Sequence, residues 1–172
     1  PADTLHAARD AAAKDSKSGW KFTLHMPSYL PVMQYAEDRL LRETMYRENA
    51  TRASEFGIPE RDNTALIGRI LQLRKEEASL LGYGSFADVS LVPKMAESPA
   101  QVIEFLHDLA GQGRPFAERD LAELRAFAQS NLGIAALEAW DLAYASEKLR
   151  AQRYSFSDQE VKQYFPETQV VQ

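Results

Sequence analysis

The three histidines are the first residues to test for chemistry, because an imidazole can hold a metal ion or move a proton near neutral pH. In an H-E-x-x-H helix, two imidazoles four residues apart face the same way and hold zinc while the glutamate activates water. His6 is followed by Ala7 and has Asp10 four residues on; His25 is followed by Met26 and has Tyr29; His107 is followed by Asp108 and has Gly111. None fits that pattern. A catalytic histidine also needs an orienting partner and a nucleophile or metal, and no spacing here supplies them. All three therefore read as surface residues, with His25 the most interesting because it falls on the polar side of a strand-like run.

Other reactive types give equally little. Glu76 with Glu77, and Asp120 with Glu123, are neighbouring acids on helical stretches and read as surface charge rather than as an acid/base pair. Ser155 and Ser157 lie near Asp158 but lack a histidine, and helix capping explains Ser157 better. There is no cysteine, which removes disulfides, thiolate nucleophiles and cysteine-based zinc sites. Gly82 and Gly84 punctuate a turn and form no phosphate cradle. The aromatic set Trp140, Tyr144, Tyr154, Phe156, Tyr164 and Phe165 is dense and reads as core or interface packing, with a peptide-contacting wall as the other reading. Tyr144 and Tyr154 are the candidate peptide contacts, since a phenol joins an apolar body to a polar tip.

The elements that would position these side chains are mostly helical. Ala7 to Lys14 is helix-favouring and starts almost at the first residue. Trp20, Phe22, Leu24 and Met26 alternate with Lys21, Thr23 and His25, the period-2 pattern of a half-buried strand over residues 20–26. A lone strand leaves its backbone groups without a ladder, so it is either a surface edge or paired outside this chain; Val170 and Val171 make a poor partner. Ser28 is expected to cap a helix carrying Pro31 in its first turn, and Asp38 to cap the next, which runs to about Ser54 with Leu41, Met45 and Ala53 near its buried side. Along that helix Arg39, Arg42, Glu43, Arg47, Glu48 and Arg52 read as one solvated face. Glu43 with Arg47 and Glu48 with Arg52 are acid-first i,i+4 pairs, worth about 0.2 to 0.5 kcal/mol each.

Further on, Leu66, Ile67, Ile70, Leu71, Ala78 and Leu81 keep helical spacing until Gly82, and residues 86–91 form a short helix ended by Pro93. Ser98, Pro99 and Gln101 supply an N-cap hydroxyl, a proline at the first helical position and a capping-box amide. The long helix that follows reaches about Asn131, with a kink or break expected at Gly113 and Pro115 and the kink favoured by the apolar phase. Another helix spans about 137–152, with Trp140, Tyr144 and Ala151 on one side. Ser157 and Glu160 form a second capping box, before a last short helix closing at Tyr164, Phe165 and Pro166.

Composition sets the outer bounds. A chain of 172 residues is 45% hydrophobic and 26% charged, ordinary for one folded domain and far from a disordered composition. Its net charge of -5, with both signs interleaved, offers no concentrated positive field, so nucleic acid is not expected as a partner. No run of about 18 apolar residues is present, so no membrane span is expected. The opening residues lack the basic start and apolar stretch of a secretory signal, and a cytoplasmic location is the simpler expectation.

Three stretches, in order, carry a resemblance: GWKFTLHMPSYLPVM from Gly19 to Met33, RKEEASLLGYGSFADVSLVPKMA from Arg74 to Ala96, and WDLAYASEKLRAQRYSFSDQEVKQYFP from Trp140 to Pro166. Together they resemble the oligopeptidase A-like and thimet oligopeptidase-like (M3) zinc metallopeptidases over almost the whole chain. The resemblance implies a large, mostly helical, two-lobed enzyme that encloses short peptides in a channel and cuts them with zinc held on an H-E-x-x-H helix and a downstream glutamate. In the family order those residues follow the region matched here, so no metal or catalytic role passes to any position of this sequence. The expectation is therefore a single, mainly α domain at 1–172, an irregular multi-helix bundle with one short strand. It would be an internal piece of the parent, partnered by the catalytic domain, binding no zinc and hydrolysing nothing alone. The alternative is a free-standing helical module that binds peptides or proteins without enzymatic activity.

Overall fold

The computed structural model describes residues 1–155 together with Val161, Tyr164 and Phe165. The expected Ser157–Glu160 capping box, the closing residue Pro166 and the pair Val170 and Val171 lie outside the described residues. Among the described residues there are seven α-helices and no strand. They are α1 (Ala2–Lys14), α2 (Met26–Tyr35), α3 (Arg39–Ala50), α4 (Thr64–Leu80), α5 (Phe86–Leu91), α6 (Pro99–Leu132) and α7 (Leu142–Tyr154), with 3-10 turns at Pro59–Arg61 and Ala139–Asp141.

The chain divides into two compact units, one holding Pro1–Ala50 with Ala122–Gln172 and the other Thr51–Leu121. In the first, Val32, Met33 and Met45 form a buried cluster, with Phe22, Leu24, Tyr29, Leu41, Tyr46 and Trp140 packed around it. A second cluster joins Leu124 and Ala128 of α6 to Ala145 of α7, flanked by Leu132, Ile134, Leu137 and Leu149. In the second unit α4 packs on α5, and Ala78 is its only buried apolar side chain.

Several helix ends follow from local sequence. Asp38 Oδ1 accepts from the Leu40 and Leu41 backbone N–H groups at 2.9 and 3.2 Å, satisfying donors that the first turn of α3 would leave bare. Helix α4 ends in a Schellman motif: Gly82 takes φ +79, its N–H donates to Ser79 O at 3.2 Å, and Tyr83 N–H reaches back to Ala78 O at 2.9 Å. Ser98 Oγ accepts from Gln101 N–H at the start of α6, while the Gln101 amide oxygen reaches one residue further back, to Glu97 N–H at 2.8 Å.

Three expectations are corrected. Residues 20–26 are not a strand: Lys21 N–H donates to Ala8 O of α1 at 2.9 Å and Thr23 N–H to Ser28 Oγ at 2.9 Å, so a carbonyl within α1 and a side-chain oxygen replace a ladder. The alternation records a chain crossing a surface half-buried; Phe22 and Leu24 pack inward, whereas Trp20 and Met26 remain more than half exposed. Ser28 accordingly lies inside α2, which starts at Met26 with Pro27 in its first turn. Helix α1 begins at Ala2, ahead of the expected Ala7. At Gly113 and Pro115, where the apolar phase favours a kink over a break, helix α6 runs on without a break; the proline ring would press on the carbonyl of residue 111, which here is a glycine able to adjust.

Ala145 has no exposed surface and sits in one buried cluster with Ala128, also fully buried. Replacing Ala145 with Leu adds three carbons at a fully buried position, so Ala145→Leu should destabilise the chain by about 1 to 3 kcal/mol, read from denaturant midpoints against wild type.

Candidate functional site

The most elaborate polar arrangement in the described residues is built on Asp141, whose side chain is fully buried at the end of the second 3-10 turn. Its carboxylate accepts from Arg39 through Nε at 3.1 Å and Nη2 at 2.7 Å, from Arg42 Nη2 at 2.9 Å, and from the Glu138 backbone N–H at 3.1 Å. Further guanidinium donors go to main chain: Arg42 Nη1 to Ala36 O and Glu37 O at 2.6 and 3.2 Å, and Arg39 Nη2 to Ala136 O at 3.0 Å. Arg42 is 1% exposed and lies over the Tyr144 ring, 4.1 Å from its centroid. One carboxylate thus ties α3 to the segment that opens α7, and its arginines also clasp carbonyls on both sides.

This overturns the reading of Arg39 and Arg42 as part of a solvated face. Arg47 does stay on that face, paired with Glu43 at 2.8 Å, but α3 ends at Ala50, which leaves Arg52 beyond the helix. Arg42 turns inward because Asp141 is there to meet it, and because the carbonyls at the C-terminal end of α2 need donors. Burial pushes the Asp141 carboxyl upward, yet the hydrogen bonds from Arg39, Arg42 and Glu138 outweigh it and hold the group below the ordinary carboxylate range. The bond to Asp141 likewise raises the Arg39 guanidinium. A carboxylate held ionised with its lone pairs occupied is a poor proton acceptor, and the arrangement joins α3 to the start of α7.

The aromatic candidates are placed apart. Tyr144 is half-buried between the Arg42 guanidinium and Lys148 Nζ, 5.2 Å from its ring. Tyr154 is 61% exposed at the last position of α7, about 15 Å along the axis from Tyr144 at 1.5 Å per residue. Trp140 packs against Tyr46 with ring centroids 6.1 Å apart and carries the Arg47 guanidinium 5.0 Å from its own centroid. Sequence reading missed a groove of about 430 Å³ in the same unit, lined by Leu5, Trp20, Phe22, Pro31 and Tyr35 among others. Its one sequence signal was the apolar spacing of Trp20 and Phe22.

The reactive types read from sequence are not gathered. His6 is an exposed neighbour of Asp10 at 3.6 Å, the His25 carbonyl accepts from Ser28 and Tyr29 N–H at the start of α2, and His107 is exposed on α6. Glu76 faces Arg69 at 3.9 Å and bonds Gln72, Asp120 pairs with Arg119, and Glu123 pairs with Arg153. Ser155 closes α7 in a left-handed conformation. Among the described residues no three His, Cys, Asp or Glu side chains are grouped to hold a metal ion, so these residues do not fit a zinc site.

Breaking the buried cluster on one side should be costly. Asp141→Asn is expected to lose about 3 to 5 kcal/mol at pH 7, because the buried Arg42 guanidinium and the half-exposed Arg39 guanidinium lose their counter-charge. The folded-state pKa of Asp141 is lowered, so its contribution is complete above the unfolded value of about 3.9 and is lost as pH falls through the lower folded value. The gap between wild type and Asp141→Asn should therefore narrow only in strong acid, as measured by urea denaturation across pH. Arg42→Met combined with Asp141→Leu should cost less than either change alone.

The comparisons with known proteins agree with one another. Oligopeptidase A of Salmonella typhimurium is 47% identical over 173 residues, covering 99% of this chain and 25% of that protein, and Oligopeptidase A of Escherichia coli K12 matches at the same identity and coverage. The probable cytosolic oligopeptidase A of Arabidopsis thaliana is 43% identical over 149 residues, covering 85% of this chain and 20% of that protein. The chain spans about a quarter of the length of these two bacterial relatives. The model of peptidase family M3 matches residues 32–172, and with these identities it establishes that the chain belongs to peptidase family M3.

Proposed function

We propose that this chain is a non-catalytic helical part of a larger zinc metalloendopeptidase that hydrolyses short oligopeptides, and that it forms part of the wall of the substrate channel. The observation that carries this reading is near-complete alignment with oligopeptidase A at 47% identity, combined with described residues that group no metal ligands. Zinc would belong to the parent enzyme, where a metal can polarise the scissile carbonyl and render water nucleophilic at neutral pH. This chain would supply shape, exclusion of water and apolar contact.

Within that role the two arginines and Asp141 keep α2, α3 and α7 in fixed register, so that surfaces on those helices stay where a substrate would meet them. The groove beside Trp20 and Tyr35 is apolar enough to take a peptide side chain. Tyr144 and Tyr154 remain the proposed aromatic contacts on α7. A cytoplasmic location agrees with the name of the Arabidopsis thaliana relative, a probable cytosolic oligopeptidase A; no helix among the described residues is long and apolar enough to cross a membrane. The second reading, a free-standing helical module that binds peptides, rests on the same groove.

The test compares the 172-residue chain with the protein encoded by its complete reading frame. The complete protein should cleave an internally quenched peptide, lose activity to a chelator and regain it with zinc, whereas the chain alone should neither cleave nor bind stoichiometric zinc. Chelator-sensitive cleavage by the isolated chain would overturn the proposal. A reading frame that ends at Gln172, with tight peptide binding and no cleavage, would establish the binding module instead.

A further inference from the structure

Helix α6 is amphipathic in a way that nothing else in its unit answers. At 100° per residue, Phe105, Leu106, Leu109 and Phe116 fall within one arc of about 100°. Each of the four is between 54% and 63% exposed. Beside the edge of that arc Gln112 donates to Asp108 at 2.8 Å, and on the far side Arg114 donates to Glu118 at 2.7 Å.

Gly113 lies inside the same arc. A Cβ placed on it would meet no atom within 4 Å, so nothing among the described residues requires the position to be bare, although glycine inside a helix costs about 1 kcal/mol relative to alanine. A missing side chain amid exposed apolar ones is what the close approach of another backbone needs. Contiguous apolar surface of this kind on soluble proteins marks a covered interface.

We propose that the Phe105–Leu109–Phe116 stripe, with Gly113 set into it, seats an apolar helix from the part of the polypeptide that lies outside residues 1–172. This rests on the reading of the chain as part of a larger peptidase: in the matched relatives some three-quarters of the protein falls outside the aligned region, an ample source for such a helix within the same molecule. A contact inside one polypeptide also forms at an effective concentration that a second copy does not reach.

Hydroxyl-radical footprinting of the isolated chain and of the complete protein tests this. Labelling of Phe105, Leu109 and Phe116 should fall severalfold in the complete protein. Gly113→Leu gives a second readout: it should raise the melting temperature of the isolated chain, where it only improves helix propensity, and lower that of the complete protein, where it meets the seated helix. Equal labelling in both proteins, or a stabilising Gly113→Leu in both, would overturn the proposal. Protection in the isolated chain that grows with its concentration would overturn it in favour of a second copy. Peptide cleavage by the same complete protein is read separately: an active enzyme with a fully labelled stripe sinks this inference alone, and an inactive one with a protected stripe sinks only the functional reading.

Discussion

Burying a carboxylate is unfavourable unless donors replace the water it loses, and Asp141 meets that condition with two guanidiniums and a backbone N–H. The arginines in turn need acceptors, and they find them in the carbonyls of Ala36, Glu37 and Ala136. One ionised group thereby fixes the approach of α3 to the start of α7 and closes the end of α2. The neighbouring apolar cluster of Val32, Met33 and Met45 is small, so directional bonds carry much of the specificity of the arrangement. Two donors remain without partners, Arg42 Nε and Trp140 Nε1; both sit where an aromatic or guanidinium face covers them.

The apolar interior explains why this polar clasp matters. Alanine accounts for most of the buried apolar residues, at positions 8, 12, 78, 128 and 145. Hydrophobic stabilisation scales with the area removed from water, at about 25 cal/mol per Å², so alanine contributes little per residue compared with leucine or phenylalanine. The larger apolar side chains are mostly at the surface, notably along α4 and α6. The chain therefore draws its local order from caps, turns and charge-assisted bonds more than from a large core.

What could be read from the sequence was whatever depends on neighbours a few residues apart. Asp38, Gly82, Ser98 and Pro99 set helix ends through local hydrogen bonds, and the short helix at 86–91 emerged with its boundaries intact. The family was legible because three long stretches carry it. Arg42 could not be read, since the residue that draws it inward is 99 positions away, and the local charge pattern of α3 is that of a solvated face. The strand failed for a related reason: period-2 alternation reports half-burial, and it cannot tell a ladder from a chain whose donors are met by Ala8 O and Ser28 Oγ. The groove beside Trp20 was equally hidden, because it forms only where α1, α2 and the crossing segment meet.

The placement of the indole side chains carries a practical consequence. The sequence has two tryptophans, Trp20 and Trp140, and both belong to the unit that contains Asp141, one more than half exposed and the other wedged between Tyr46 and Arg47. Intrinsic fluorescence excited at the indole band thus reports on that unit alone, with a red-shifted and a blue-shifted emitter in the same spectrum. Melting of the segment from Thr51 to Leu121 would pass unseen in such a record, and a single smooth transition would describe only half of what the molecule does.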